Sequence, residues 1–232
     1  ITKDIIYDVA IGVFSSMILI WFIDGIAEHL QKKAAEKEAK ETIIRFNLLF
    51  RKYLDRYITL FYCVTTPALE RNASEDKEKV FREKDTFTLA EMSDLHKSSL
   101  IIEEGLAISS IEAFLKVELQ LRHQIEVFLL NNQRERKFEK IYDILEDFIK
   151  TSISYDFSTT ILNNESITAG KQNSSDDILL LLKANGDKYY NDLKDGKDTK
   201  NNKMYPYILL RDFMQREREI LLNYQKRIEE MR

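Results

Sequence analysis

Histidine, cysteine and acidic side chains carry out much of enzyme chemistry, but in this sequence they form no known catalytic or metal-binding pattern. A di-iron helical bundle needs glutamates three residues before its histidines, and no glutamate stands three positions before His29, His96 or His123. The one cysteine, Cys63, lies among apolar residues with no assignable histidine partner, which favours a small buried hydrophobe over a nucleophile. Glycine-rich phosphate loops and the HExxH and GxSxG motifs are also absent. We therefore expect no enzyme activity, no metal site and no cofactor.

Two groups of basic and aromatic residues have the chemistry to bind a phosphate-bearing ligand. Basic side chains bind phosphate oxygens, and tyrosine rings stack on nucleobases. The candidate ligand-binding residues are Arg134, Arg136, Lys137, Lys188, Tyr189 and Tyr190. Aspartates interleaved with the second group cancel most of its charge, so the sequence favours a solvated, salt-bridged surface over a ligand-binding one.

The composition indicates a helical protein of a reducing compartment. Among the 232 residues there are only 6 Gly and 2 Pro, too few for a turn-rich β-sandwich or a glycine- and proline-rich disordered chain. A single cysteine excludes an internal disulfide and fits a reducing environment. The net charge of -4 argues against a general nucleic-acid-binding protein.

One segment is far more apolar than the rest of the chain. Residues 9–23 carry no charge, and the apolar stretch over residues 5–27 is about 34 Å long as a helix, enough to cross a hydrocarbon core about 30 Å thick. A signal peptide is disfavoured because the segment lacks a basic N-terminal region and a small-residue cleavage site. The buried core helix of a soluble domain is the remaining alternative. We interpret residues 1–27 as a transmembrane helix.

Basic residues near the two ends of this helix predict its orientation. Only Lys3 precedes it, whereas several lysines follow it closely, and lysines favour the cytoplasmic side of a membrane. Those lysines are Lys32, Lys33, Lys37 and Lys40. We expect a single-pass protein of the cell inner membrane, with its N-terminus outside and its C-terminal domain in the cytoplasm.

The expected transmembrane helix brings small and polar residues close together. Gly12 and Ser16 have the small-xxx-small spacing that lets two helices approach closely. Asp8 is costly within a hydrocarbon core unless its carboxylate faces a partner helix or water. The candidate pore-lining or helix-packing residues are Asp8, Gly12, Ser15, Ser16 and Leu19. In the alternative interpretation, Asp8 lies at the outer interface and simply reaches water.

The remaining sequence predicts an all-α fold in which this helix continues into a cytoplasmic bundle. After Gly25 there is no glycine or proline until Pro67, which is expected to end one continuous helix and begin the next. The expected domains are a transmembrane helix at 1–27, a stalk and first bundle helix at 28–66, and a cytoplasmic helical domain at 67–232.

Capping and amphipathic patterns predict the later helices. Thr88 and Glu91 have the spacing of a capping box and predict a helix that ends at Gly105, and Ser109 and Glu112 repeat this spacing. The polar segment over 68–85 is expected to form a peripheral helix, and residues 177–182 are expected to open a short apolar helix. Apolar stripes predict helices over 111–130, 134–151 and 207–232.

The layout resembles that of small membrane effectors of bacterial antiviral systems, such as CRISPR-associated membrane effectors and the Hailong type. The resemblance rests on a short N-terminal transmembrane helix, here IIYDVAIGVFSSMILIWFIDGIA, followed by a cytoplasmic domain, and it covers the plan of the whole chain without a diagnostic motif. It implies a homo-oligomer, commonly a tetramer, with a pore formed by the membrane helices. It also implies a nucleotide or oligonucleotide ligand for the cytoplasmic part. No Rossmann-like sensor pattern is present, which weighs against the CRISPR-linked members.

The sequence supports two functional hypotheses. In the first, the protein is an oligomeric membrane effector that forms a gated ion channel, controlled by a ligand or partner at the cytoplasmic domain. In the second, it is a membrane-anchored helical adaptor that binds a protein partner without conducting ions.

Overall fold

The computed structural model describes residues 2–103, 106–132, 134–155, 161, 174–197 and 205–231. These residues form an all-α fold with six α-helices, a short 3-10 turn and one small hairpin, as the sequence predicts for the fold class. The helices are α1 Thr2–Val64, α2 Lys77–Glu83, α3 Ser110–Asn131, α4 Glu139–Ser154, α5 Ser174–Lys194 and α6 Tyr205–Met231. The 3-10 turn, Arg136–Phe138, directly precedes α4, and the hairpin consists of β1 Ser98–Glu103 and β2 Leu106–Ser109.

The longest helix is the predicted continuous one. Helix α1 runs from Thr2 to Val64, over 63 residues, which corresponds to about 95 Å at 1.5 Å per residue. It ends where Thr65 donates both its backbone N–H and its hydroxyl to the Phe61 carbonyl, each at 2.9 Å, two residues before Pro67. Cys63 lies in the last turn and its side chain is fully buried.

The segment after Pro67 is less helical than predicted. Residues 67–70 form a turn rather than a new helix, and α2 begins only at Lys77, where the side chain of Asp76 accepts a hydrogen bond from the backbone of Lys79. The polar residues before Asp76 have few apolar side chains to bury, so packing does not hold them in a helix. The predicted helix over 68–85 is therefore wrong except for its last part.

The helix predicted from Thr88 to Gly105 is also wrong. The capping hydrogen bonds do form, from Thr88 N to Glu91 Oε2 at 2.6 Å and from Glu91 N to Thr88 Oγ1 at 3.2 Å. The chain then turns through Lys97 and enters β1, which pairs antiparallel with β2 and places Ser98 opposite Ser109. Adjacent β-branched isoleucines in β1 favour a strand over a helix, so the capping signal marks only a turn.

The helices after the hairpin agree more closely with the predicted patterns. Ser109 caps α3 by accepting a hydrogen bond from the backbone of Glu112 at 3.2 Å, as its spacing predicts. Helix α5 begins close to the predicted start at 177 and is longer than the short helix expected there, since it continues to Lys194 and is followed by Gly196 at a φ of 71°. Within α5, Gly186 packs so closely on Leu89 that a Cβ atom at Gly186 would lie 2.6 Å from the Leu89 Cβ.

The fold has two compact units, which α1 joins. The first unit comprises Ile1–Arg45 and Glu135–Glu139, and the second comprises Phe46–Arg134 and Lys140–Arg232. The second unit contains the main core, where aromatic rings connect the helices. Phe46 of α1 stacks on Phe128 of α3 with ring centroids 4.1 Å apart, and Tyr57 contacts Phe114 at 5.1 Å. These two contacts show that the last third of α1 lies antiparallel to α3.

Candidate functional site

The apolar surface of α1 is the clearest functional feature of the first unit. Every residue from Ile11 to Leu30 is exposed, and the large apolar side chains between Ile11 and Ile26 are 47 to 78% exposed. This helix is the one in the described part of the chain that is long and apolar enough to cross a membrane, and none of its most apolar window is buried. No other part of the described chain covers these side chains, which is compatible with a membrane anchor and does not fit a core helix of this chain.

The predicted helix-packing residues lie on this exposed part of α1. Gly12, Ser15, Ser16 and Leu19 are all exposed, and the hydroxyl of Ser16 donates a 2.8 Å hydrogen bond to the Gly12 carbonyl. Because this hydrogen bond lies within α1, the Ser16 hydroxyl does not need a donor or acceptor from another helix. Ser16 therefore acts as a small residue on the helix surface. A Cβ atom at Gly12 would meet nothing within 4 Å in the single chain. Asp8 belongs to α1, but its side chain lies outside the described part of the structure.

In the first predicted ligand-binding group, Arg134 and Lys137 form ion pairs with carboxylates. In the second unit, Arg134 pairs through one guanidinium nitrogen with Asp143 and through the other, at 2.9 Å, with Glu146. In the first unit, Lys137 Nζ lies 2.6 Å from Glu36 Oε2, and this hydrogen bond lowers the pKa of Glu36.

Arg136, at the start of the 3-10 turn, is exposed. Among the three basic residues of this group, Arg134 and Lys137 thus already have carboxylate partners. An anionic ligand would have to displace those partners before it could use either charge.

The second predicted group lies near the C-terminal end of α5. Lys188 is exposed, whereas Tyr189 and Tyr190 are partly buried. Two cations contact the ring of Tyr190, with the Arg211 guanidinium 4.1 Å and the Lys194 ammonium 5.1 Å from its centroid. The tyrosine face is therefore already occupied by cation–π contacts.

Tyr190 also lines a cleft of about 550 Å³. Its charged lining residues are Asp147, Asp212, Glu219 and Arg216. Three carboxylates against one guanidinium give this cleft a negative potential, which disfavours a phosphate-bearing ligand at Tyr190.

A buried polar cluster in the second unit was not predicted from the sequence. Glu118 of α3 and Glu217 of α6 form a side-chain hydrogen bond with each other, and both are buried, with Glu217 0% exposed. Tyr57 of α1 donates a 2.7 Å hydrogen bond to Glu217 Oε2, and the Ser152 hydroxyl of α4 donates to Glu118 Oε1. Four helices thus converge on two carboxyl groups.

The burial of this cluster favours a proton shared between its two carboxyl groups. Burial, and next to it the charge of Glu118, raises the pKa of Glu217 well above its ordinary value, while burial also raises the pKa of Glu118. Glu217 Oε1 is buried and has no conventional donor among the described groups. A proton held on Glu217 and donated to Glu118 satisfies this oxygen and avoids two adjacent buried negative charges.

The position of Glu217 in the sequence does indicate that it is buried. It stands four residues after Phe213 and four before Leu221, so it occupies the apolar stripe of α6. An acidic residue at such a position is either paired or protonated when the helix packs. Glu118, in the corresponding stripe of α3, supplies the partner.

His96 is a second titratable group in an apolar environment. Its Nε2 lies 2.9 Å from the hydroxyl of Tyr207, and burial lowers the pKa of His96 to about 4. The other ring nitrogen, Nδ1, is buried without a hydrogen-bond partner in the described part of the chain. His96 is therefore a neutral core histidine at neutral pH, and no group of three or more potential metal ligands is found among the described residues.

No protein-family profile, curated protein or solved structure matches this chain. Its function must therefore be inferred from its own residues.

Proposed function

We propose that this protein is an oligomeric single-pass membrane effector whose N-terminal helices associate into a gated ion channel. The observation that carries the proposal is the helical segment from Ile11 to Ile23, which is uncharged on every side and has no protein covering it in the single chain. Such a surface favours insertion into lipid and association with further copies of the same helix.

Self-association is supported by the small surface around Gly12 and Ser16. Without a hydrophobic driving force inside a bilayer, helices associate through close backbone packing, which small residues permit. A single span cannot enclose a pore alone, so conduction requires several copies, and a homo-tetramer is our preferred assembly. Ser15 and, at the outer end, Asp8 are the polar groups that would face the water-filled path.

The continuity of α1 supports a gating mechanism. Its last third contributes Phe50, Tyr57 and Phe61 to the core of the second unit, and its first half carries the apolar surface. A ligand or partner that favours one of two packings of the bundle would therefore act on the same helix that lines the pore. We place the N-terminus outside the inner membrane and the helical bundle in the cytoplasm, in a system of antiviral defence.

The mass of the full chain, measured in detergent by light scattering and corrected for bound detergent, tests this proposal first. We expect a tetramer or a larger closed ring that conducts ions after reconstitution in planar bilayers. A strict monomer or dimer would overturn the channel and leave a membrane-anchored adaptor, which would also keep its function when residues 5–27 are replaced by an unrelated span.

A further inference from the structure

The side of α1 that carries the candidate pore-lining residues continues beyond the apolar segment as a stripe of basic side chains. Ser15 and Lys33 are 18 residues apart, which is about five full turns at 3.6 residues per turn, so they lie on the same side of the helix. The basic residues of this side recur at every third or fourth position. The set, here called the basic stripe, consists of His29, Lys33, Lys37 and Lys40.

The lysines of the basic stripe are not neutralised by other residues. Lys33 and Lys37 are exposed and Lys40 is half-buried. None of the three forms an ion pair within the part of the chain that the structure describes. Lys33 and Lys37 are one turn apart, a spacing at which like charges repel each other. Anions beside the basic stripe would relieve this repulsion.

The acidic residues of this part of α1 lie outside the basic stripe. Glu28 and Glu38 are on the far side of the helix, about 140° from the centre of the stripe. Glu36 borders the stripe, but Nζ of Lys137 lies 2.6 Å from its Oε2, and this hydrogen bond lowers the pKa of Glu36. Glu41 borders only the end of the stripe that is farther from the apolar segment. The Glu36 carboxylate is thus compensated by Lys137, a residue far away in sequence.

Lys32 shows that this charge arrangement is specific to one side of α1. It precedes Lys33 directly but lies about 100° away around the helix. Glu28 and Glu36 stand one turn before and one turn after Lys32, and the charge of Lys32 acts on the Glu36 carboxylate. Lys32 therefore has acidic neighbours along the helix, whereas the corresponding neighbours of Lys33 are basic.

The position of the basic stripe along α1 places it at the membrane surface when residues 5–27 span the hydrocarbon core. At 1.5 Å per residue, Lys33 lies about 9 Å and Lys37 about 15 Å beyond residue 27. The headgroup layer extends about 5 to 8 Å beyond the hydrocarbon core, so both lysines lie at its outer edge or just outside it. The Debye length is about 8 Å at physiological salt, and the two lysines are about 6 Å apart along α1, so their fields reinforce each other.

We propose that the basic stripe makes the proposed pore selective for anions, with Lys33 and Lys37 of each copy concentrating small anions at its cytoplasmic mouth. A mouth lined by one sign of charge raises the local concentration of counter-ions, and rings of lysine favour anions. Asp8, at the outer end of the same side of α1, opposes this effect, but it contributes one carboxylate per copy against three lysines. This inference rests on the proposed function, since only a pore has a mouth that the basic stripe can line.

The reversal potential of the full chain in planar bilayers under a gradient of KCl tests the selectivity. We expect chloride to be about three to ten times as permeant as potassium. Lys33→Gln/Lys37→Gln should bring this permeability ratio to one or below it, whereas Lys33→Arg/Lys37→Arg should keep the parent ratio, because arginine retains the charge. A parent chain that prefers potassium, or an unchanged ratio in the glutamine variant, would overturn the proposal.

The matched control is Lys32→Gln/Lys52→Gln, which removes the same charge from exposed positions of α1 outside the basic stripe. This control should keep the parent permeability ratio. An equal loss of chloride preference in both glutamine variants would show that net charge alone matters and would overturn the assignment to one side of α1. Circular dichroism and the light-scattering mass should show that all variants keep their helical content and assembly.

A second pair of variants tests the compensation of Glu36. Lys137→Gln leaves the Glu36 carboxylate uncompensated beside the basic stripe and should lower the chloride preference. Glu36→Gln/Lys137→Gln removes both charges and should restore the parent permeability ratio. An unchanged or higher chloride preference in the single variant would overturn the proposal.

The failure of this inference can be distinguished from the failure of the proposed function. A chain that assembles and conducts without a preference for chloride would overturn the anion selectivity and leave the proposed channel standing. A chain that conducts no ions would overturn both, because the basic stripe would then border no pore.

Discussion

The hydroxyl of Tyr57 donates a 2.7 Å hydrogen bond to Oε2 of Glu217, joining the first and last helices across 160 residues of sequence. Because burial and the neighbouring charge of Glu118 raise the pKa of Glu217, the two buried carboxyl groups are most stable when they share a proton. The packing of α1, α3 and α6 is thus linked to the protonation of one group.

Substitution of Glu217 by glutamine is expected to stabilise the second unit at alkaline pH. The pKa of Glu217 is raised on folding, so its contribution to stability is complete below its ordinary value of 4.5 and is lost as the pH rises above it. Glutamine accepts the same hydrogen bond from Tyr57 and donates to Glu118 without titrating. We expect a gain of about 1 to 2 kcal/mol in the free energy of unfolding at pH 8.

Chemical denaturation of the full chain in detergent, from pH 5 to pH 9, measures this effect. The exposed neighbour Glu219 provides the matched control, because Glu219→Gln makes the same change of charge two residues away. A Glu217→Gln variant that is less stable than the parent chain at pH 8 would contradict the shared proton.

The contribution of His96 to stability is expected to depend on pH in the opposite direction to that of Glu217. Its pKa is lowered on folding from 6.5 to about 4, so its contribution to stability is complete above pH 6.5 and is lost as the pH falls towards 4. We expect the free energy of unfolding to fall by about 2 to 3 kcal/mol over this pH range. His96→Gln keeps a group that can form a hydrogen bond with the Tyr207 hydroxyl but does not titrate. It should flatten the acid side of the stability curve, as measured by denaturation between pH 4 and pH 7. An unchanged acid slope would show that His96 is not the group responsible.

Gly186 is expected to tolerate no side chain. A Cβ atom there would lie 2.6 Å from Cβ of the buried Leu89, an atom that cannot move without its backbone. Gly186→Ala should therefore lower the free energy of unfolding by about 1 to 3 kcal/mol, despite the higher helix propensity of alanine. The neighbouring Asn185 is exposed, so Asn185→Ala should be neutral or slightly stabilising. Equal thermal stability of the two variants would argue against close packing at Gly186.

Gly12 offers a test of helix association that does not depend on conduction. A Cβ atom at Gly12 meets nothing within 4 Å in the single chain, whereas a leucine side chain there would block close approach of a second helix. Gly12→Leu should therefore shift the light-scattering mass towards smaller species. Gly25 is equally open in the single chain and lies on a different side of α1. Gly25→Leu should therefore keep the parent assembly. If both variants have the parent mass, the helices do not pack through Gly12.

The rigidity of α1 gives a test of gating. Inserting Gly-Pro after Ala34 breaks the helix between its apolar surface and the core of the second unit, since proline removes a backbone hydrogen bond and glycine adds freedom. We expect the ring to assemble as before, whereas its open probability in planar bilayers should change, because the bundle no longer sets the position of the pore helices. A chain with Ala-Ala inserted at the same point controls for length. An unchanged open probability in the Gly-Pro chain would remove α1 from the gating mechanism.

The sequence predicted α1 well because no glycine or proline interrupts it between Gly25 and Pro67. It failed at Thr88, because a capping box begins a helix only when the next residues also favour one, and the isoleucines of β1 pair with β2 instead. The partners of Arg134 and Tyr190 could not be predicted either, because Glu146 and Arg211 approach them through tertiary packing. Local patterns specify helices, whereas the charge of a cleft depends on residues far apart in sequence.

The fully buried thiol of Cys63 lies in the last turn of α1, against the core that any rearrangement of the bundle must disturb. A thiol reagent can reach it only when that core opens, and no other cysteine in the chain competes for the reagent. The rate of Cys63 alkylation therefore reports how often the bundle opens, because this rate depends on the equilibrium between the closed and open states. The native Cys63 thiol therefore allows the opening of the bundle to be measured without introducing another cysteine.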